Sequence, residues 1–295
     1  MTTTSPRSPR SHAAFEQLAR LEDLDQPAST IGKAVRDVIP AGPVKDALTG
    51  TWLGHALHPL LTDVPIGTWT SAVLLDWLGG RAARPAADRL IGLGILASGP
   101  AAVTGMTDWA DTEAADEAVR RIGLLHAASN VTALALFGAS YAVRRRGARA
   151  YGKLLALAGA GALGAGGYLG GHLSYAEGVG VDQTAFEDRG GDWSPVVREA
   201  DLPEGEARYA EVDGVGVMVA RWQGEVFALS NRCAHRGGPL DEGEIRDGCV
   251  TCPLHGSTFR LADGGVERGP SPYPQPVWEA RVRSGVVEVK AAPAS

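Results

Sequence analysis

The sequence predicts a multidomain protein, an α-helical membrane bundle of four helices followed by a small all-β domain. Three observations lead there. Residues 122–143 and 154–175 form two stretches of 22 residues without Asp, Glu, Lys or Arg, each long enough to cross about 30 Å of hydrocarbon as a helix. Beyond residue 200 the pattern changes to short β-branched runs separated by Gly-containing turns. Within that second part, Cys233 and His235 form one pair and Cys252 and His255 another, with sixteen residues between His235 and Cys252.

At 295 residues the chain allows about two domains, and its net charge of −6 is unremarkable. Residues 1–50 read as a polar and amphipathic N-terminal segment. Within it, 1–12 are rich in Ser, Thr, Pro and Arg and are expected to be disordered, and 14–24 (AFEQLARLEDL) have the spacing of a short amphipathic helix. No apolar core precedes a small-residue cleavage site, so no signal peptide is expected.

Residues 51–176 form the expected membrane domain. Its spans lie at 58–78, 90–107, 122–143 and 154–175, the first interrupted by Asp63 and Asp76. A buried soluble bundle is the competing reading, and the two uninterrupted stretches argue against it. In the last span Ala162, Gly166 and Gly170 recur every fourth position, as do Gly167 and Gly171. Such stripes let helix backbones approach closely in lipid. No Lys-Ser/Thr follows these glycines, so they are not a phosphate loop. Residues 177–199 read as an acidic linker, since 177–206 hold nine Asp/Glu against two Arg. No basic patch accompanies them, and no nucleic-acid partner is expected.

The β domain is expected over 200–293. Runs at 208–212, 215–222 and 225–229 are separated by Asp213-Gly214 and Gln223-Gly224, which are hairpin-type turns. After the second Cys/His pair come Gly269-Pro270-Ser271-Pro272 and two more runs, 277–282 and 286–289. Two thiolates on one iron and two imidazoles on the other can hold a [2Fe–2S] cluster, and neutral imidazoles in place of thiolates raise its potential. A structural zinc site is the alternative, but the single-residue gap in Cys233-Ala234-His235 is not a zinc spacing, and no H-x3-H occurs here. Cys249 is expected to be a packed core thiol. With three cysteines in all, two of them candidate ligands, no disulfide framework is expected.

The segments CAHRGGPL (233–240) and CPLHGSTF (252–259) resemble the two cluster-binding loops of Rieske proteins. The resemblance covers about residues 200–292. It implies an all-β Rieske domain, a [2Fe–2S] cluster held by Cys233, His235, Cys252 and His255, and a covering loop at 269–274. The extra cysteine that high-potential members carry in each loop is missing here. Ser257 stands where that type has a hydroxyl donor to a cluster sulfide, and Phe259 where it has a tyrosine donor. The resemblance therefore implies a potential in the lower or middle part of the range of roughly −150 to +300 mV. Residues 55–175, with HALHPLLTDVPIG, TGMTDW, LLHAASN and GGYLGGHL, resemble an uncharacterised family of four-helix bacterial membrane domains, some fused to a Rieske domain. That likeness implies architecture only.

Counting helix directions brings His55, His58, His126 and His172 to one membrane face. Ionisable residues in a span are functional candidates. His58, His126 and His172 are thus a possible second site for haem b, another metal or quinone, with anchoring among headgroups as the alternative. The opposite face carries Arg81, Arg84, Arg89, Arg144, Arg145, Arg146, Arg149 and Lys153. The positive-inside rule puts that face in the cytoplasm and the Rieske domain outside. The N-terminal tail, with six Lys/Arg, and the need to export a folded domain point the other way.

The expected function is that of a membrane-anchored carrier of single electrons between a membrane-associated donor and a partner oxidoreductase. His235 and His255 would face solvent at its tip, and its partners would be a redox protein and membrane lipid. A haem-containing quinol oxidoreductase subunit and a non-redox sensor or scaffold are the alternatives. A Rieske oxygenase is not expected, because no histidine follows His255 to hold a mononuclear iron.

Overall fold

A computed structural model describes residues 10–292, with side chains from Phe15 onward. The expected disorder of 1–12 lies outside the described residues as far as residue 9. The chain divides into two compact units. One comprises the N-terminal residues to Val38 together with His58–Val179, and the other Ile39–Leu57 together with the chain from Gly180. The segment read as N-terminal is therefore shared between them.

The first unit is helical. Helices α1 (Arg10–Ala19) and α2 (Asp25–Val38) precede four longer ones, α4 (Leu57–Leu78), α5 (Arg84–Thr112), α6 (Glu117–Arg145) and α7 (Arg149–Tyr175); the short α3 (Pro43–Thr49) belongs to the second unit. Among the described residues three helices, α5, α6 and α7, are long and apolar enough to cross a membrane. Four were expected. The span expected at 58–78 does form a helix, but Asp63, Asp76, His58 and three threonines dilute its apolar character.

Helix α4 nonetheless reaches both ends of the unit. Near its start, His58 Nδ1 lies 2.9 Å from the Ala101 carbonyl of α5. At its centre Trp69 stacks on Phe137 of α6 with ring centres 4.4 Å apart, and its indole N–H donates to the Ile91 carbonyl at 3.2 Å. Near its end the Asp76 carboxylate accepts from Arg144 and, at 3.1 Å, from Arg149. Asp88 accepts from the same two arginines at 3.1 and 2.9 Å. Asp76, which interrupts the apolar pattern, is thus a buried charge with its counter-charges supplied, the arrangement that makes such residues tolerable away from water.

Of the two small-residue stripes of α7, the one through Gly166 and Gly170 packs on α6, while Gly167 has nothing within 4 Å and Gly171 meets only Tyr175 of its own helix. A Cβ at Gly159 would lie 3.0 Å from the Phe137 ring, one at Gly166 2.7 Å from the Asn130 amide, and one at Gly170 2.9 Å from the His126 ring. Around the α5–α6 end, Phe15 packs with Val119, Ile122, Leu169 and Leu173. Arg121 binds Asp25 bidentately at 2.8 and 2.7 Å, and Arg36 binds Glu113 at 2.8 Å.

The second unit holds two antiparallel sheets. The larger has the order β1-β10-β9-β4-β3-β2, from β1 (Ser194–Arg198), β2 (Ala207–Val212), β3 (Val215–Trp222), β4 (Glu225–Ser230), β9 (Val277–Arg283) and β10 (Val286–Ala291). The smaller runs β5 (Glu244–Arg246), β6 (Cys249–Thr251), β7 (Thr258–Arg260) and β8 (Val266–Arg268). The β2–β3 hairpin turns at Asp213 (φ 51°) and Gly214 (φ 82°), the positive-φ pair that matches strand twist. Strand β3 is buried on both faces. Val215, Val217 and Val219 join one core with Trp278 and Val287, and Met218 and Ala220 join another with Cys233, Cys252 and Phe259. Each fully buried side chain of this size contributes about 1.5–3 kcal/mol. The stretch 177–199, read as a linker, contains β1, which pairs with β10. It also contains Gln183, whose N–H donates to the Ala234 carbonyl at 3.0 Å.

Candidate iron–sulfur site

Two loops build the site. The first leaves β4 and runs through Cys233 to Leu240; the second joins β6 to β7 and carries Cys252 to Ser257. Each closes on its own backbone. Gly237 N–H donates to the Cys233 carbonyl and Cys233 N–H to the Gly238 carbonyl, both at 2.8 Å. Gly256 N–H donates to the Cys252 carbonyl at 3.0 Å, and Cys252 N–H to the Ser257 carbonyl at 2.8 Å. Gly237 (φ 71°) and Gly256 (φ 79°) adopt the left-handed conformation these turns require. A Cβ on Gly238 would lie 2.8 Å from the Cys252 sulfur, so the loops meet only because that residue is glycine.

These loops bring all four expected donors together. Cys233 and Cys252 are buried and their thiols hydrogen-bond each other. The His235 and His255 rings lie 5.0 Å apart at 84°. The bond from the Cys233 thiol lowers Cys252 to about 7, and Cys233 is correspondingly raised. Burial lowers His235 to about 3 and His255 to about 4. At neutral pH the imidazoles are therefore neutral and one thiol ionises readily, the protonation states that metal ligation needs. His235 Nδ1 and His255 Nε2 are buried without a hydrogen-bond partner. Buried polar atoms are costly to leave unmatched, so the donor set fits a bound metal group. Among the described residues no three His, Cys, Asp or Glu surround a single ion, and a cluster that takes two side chains per iron needs no such trio.

Ser257, the fifth expected residue, is fully buried, and its Oγ accepts from Ser271 N–H at 3.0 Å. That bond uses one lone pair and leaves the hydroxyl hydrogen free to donate. Phe259 is buried in the core beside both cysteines. Cys249, read as a packed core thiol, is half-buried on β6, and burial raises it.

Three features were not anticipated. Gln275 is buried; its amide N–H group donates to the Ser230 and Arg232 carbonyls, both at 2.7 Å, and its oxygen accepts from Ala234 N–H at 3.0 Å. It ties the 269–274 loop to the first ligand loop. A glutamine among prolines carries no signal for this in sequence. Residues 39–57 pack on the same unit. The Asp46 carboxylate accepts from Gly269 N–H and from Arg268, each at 3.0 Å, and the Thr49 and Thr51 hydroxyls crowd Gly269. Lys45 is close enough for its charge to depress both imidazoles. Third, His235 and His255 were expected to face solvent, and both are half-buried.

Of the second expected site, two residues meet. The His58 and His126 rings lie 6.4 Å apart at 84°. His172 instead stacks on Phe15 at 3.6 Å and reaches Glu177 at 3.2 Å. His55 belongs to the second unit, edge-on to Tyr273 at 6.2 Å.

A two-sheet antiparallel module with one cysteine and one histidine on each of two adjoining loops defines an iron–sulfur electron-transfer domain. The chain belongs to the Rieske [2Fe-2S] domain family, matched over residues 192–279. The family implies a [2Fe–2S] cluster. Upstream, residues 54–183 match a predicted membrane protein family (DUF2231). The anthranilate 1,2-dioxygenase ferredoxin subunit of Burkholderia cepacia is 32% identical over 33% of this chain and 91% of its own length. The 3-phenylpropionate/cinnamic acid dioxygenase ferredoxin subunit of Escherichia coli (strain K12) is 33% identical over 29% and 81%. Human apoptosis-inducing factor 3 is 32% identical over 31% of this chain but only 15% of its own. Among solved structures, the ferredoxin of carbazole 1,9a-dioxygenase from Nocardioides aromaticivorans IC177 is 28% identical over 35% of this chain and all of that one, with a TM-score of 0.33.

Proposed function

We propose that this protein is a membrane-anchored Rieske carrier that passes single electrons between a membrane-associated donor and a partner oxidoreductase. Cys233 and Cys252 would bind one iron, and His235 and His255 the other, with Ser257 donating to a sulfide. When bound, the cluster supplies a one-electron couple. The chain's own residues bury the thiols, hold the imidazoles neutral and seat the hydroxyl. The observation that carries this reading is the convergence of two buried thiols with two imidazoles whose buried nitrogens lack partners. The ferredoxin relatives support electron transfer and leave this chain's partner unnamed. The test is the electron-spin-resonance spectrum of detergent-purified, dithionite-reduced protein. A Rieske signal that disappears in Cys233→Ser and His255→Ala is expected; stoichiometric zinc without iron, from cells with cluster assembly intact, would sink the assignment.

We further propose four membrane crossings. Residues 39–57 and the chain from Gly180 pack as one unit, joined by Asp46 to Gly269 and Arg268. Segments that share hydrogen bonds lie on one side of a bilayer, so the chain between them crosses an even number of times. Helices α5, α6 and α7 make three crossings, and α4, which reaches both ends of its bundle, makes the fourth. Its paired charges at Asp76 explain how a less apolar helix tolerates this position. Cysteine labelling from each side of sealed vesicles tests the parity. Opposite exposure of positions 52 and 209 would refute it, as would recovery of the protein in the soluble fraction without detergent. The positive-inside rule places the Rieske unit outside the cytoplasm, and the same labelling reads that side.

A further inference from the structure

His58 and His126 come from different helices and share a geometry that headgroup anchoring does not call for. His58 Nδ1 lies 2.9 Å from the Ala101 carbonyl, and His126 Nδ1 2.8 Å from the Gly166 carbonyl. A carbonyl oxygen only accepts, so each Nδ1 carries a proton. In the neutral ring the lone pair is then on Nε2. Fixing the tautomer through a second hydrogen bond is how proteins aim an imidazole at a metal. The niches are built for the rings. A Cβ at Gly105 would stand 2.6 Å from His58, and one at Gly170 2.9 Å from His126.

The separation selects the kind of metal site. With metal–nitrogen distances of about 2.0–2.1 Å and ring centres about 1.1 Å beyond each nitrogen, two imidazoles trans across one metal have centres about 6.3 Å apart, and two at a tetrahedral angle about 5 Å. The observed 6.4 Å matches the trans arrangement. No third His, Cys, Asp or Glu joins the pair among the described residues. A free divalent ion held by protein alone takes three or four such ligands. A metal that brings its own equatorial nitrogens needs only the two axial ones. The Asn130 amide, 3.2 Å from His126 Nε2, also donates to the His126 carbonyl at 2.9 Å, and retains that second bond when a metal takes the ring nitrogen. We infer that His58 and His126 are the axial ligands of a non-covalently bound haem within the helical unit, and that His172, held by Phe15 and Glu177, takes no part.

The site does not depend on the cluster assignment, and the two are read separately. Full-length protein purified in detergent is titrated with hemin and examined by optical absorption and electron-spin resonance, oxidised and dithionite-reduced. The expected result is one haem per chain with a six-coordinate, low-spin, bis-imidazole spectrum. His58→Ala and His126→Ala should each abolish that signature, and His172→Ala should keep it. The Rieske signal, measured on the same samples, should persist in all three and reports that the chain is folded and loaded. Where an alanine variant folds poorly, His126→Met takes its place, because a thioether ligand shifts the spectrum if His126 binds the iron. Failure of the wild type to bind hemin, a bis-imidazole spectrum surviving in His58→Ala or His126→Ala, an unshifted spectrum in His126→Met, or its loss in His172→Ala would each overturn the inference.

Discussion

Asp46→Ala probes the least expected contact of the iron–sulfur unit. The substitution removes the acceptor for Gly269 N–H and the partner of Arg268, both at 3.0 Å. Arg268 is 42% exposed, so its ion pair is worth under about 1 kcal/mol. Gly269 is buried, and stranding its N–H costs about 1–3 kcal/mol. Together the loss is about 1–4 kcal/mol, roughly a 5- to 700-fold drop in the docking constant of the 39–57 segment. Asp46→Asn keeps the acceptor oxygen and loses only the charge, so it should cost about 1 kcal/mol or less. Amide hydrogen exchange reads both. In Asp46→Ala, residues 43–53 and Gly269 should lose protection by that factor, while strands β3 and β4 keep theirs. Undocking also takes the Lys45 charge away from the imidazoles. A nearby cation favours the more negative, reduced form, so the midpoint potential should fall. Unchanged protection in Asp46→Ala, or equal losses in Asp46→Asn and Asp46→Ala, would refute the reasoning.

Ser257→Ala should lower the midpoint potential by roughly 40 mV, the one-electron equivalent of about 1 kcal/mol for a hydrogen bond stronger in the reduced state; protein-film voltammetry measures it, and an unmoved potential means the hydroxyl donates elsewhere. Gln275→Leu strands two carbonyls and the Ala234 N–H and should cost about 3 kcal/mol or more, read as earlier thermal loss of the visible cluster absorbance. Glu187 has one buried carboxylate oxygen without a partner, and burial raises its pKa above the ordinary 4.5. The folded state therefore holds its proton longer than the unfolded one, and stability falls as pH rises from the ordinary value through the raised one. Glu187→Gln should melt higher than wild type at pH 7 and converge with it below about pH 4; a constant difference across pH would contradict this.

The candidate cluster ligands were legible in sequence because each sits in a short loop whose neighbours repeat the requirement locally, such as the left-handed glycines 237 and 256. The β2–β3 and β3–β4 hairpins were legible for the same reason. Helix α4 was harder. Asp76 lowers its apolar character, and the compensation comes from Arg144 and Arg149, 68 and 73 residues away, which no window along the chain contains. Gln275 and Asp46 act through backbone groups, whose pairing leaves no mark on composition. His172 shared a membrane face with His58 and His126 by topology alone. Its stacking on Phe15 depends on where an N-terminal helix docks.

The bond between Asp46 and Gly269 also imposes an order in time. Its partners are separated by 223 residues of chain, which a ribosome makes in about 10–45 s at 5–20 residues per second. Residues 39–57 therefore emerge long before the surface they will cover. Until β8 and the loop after it are complete, Asp46 has neither Arg268 nor Gly269 to bind.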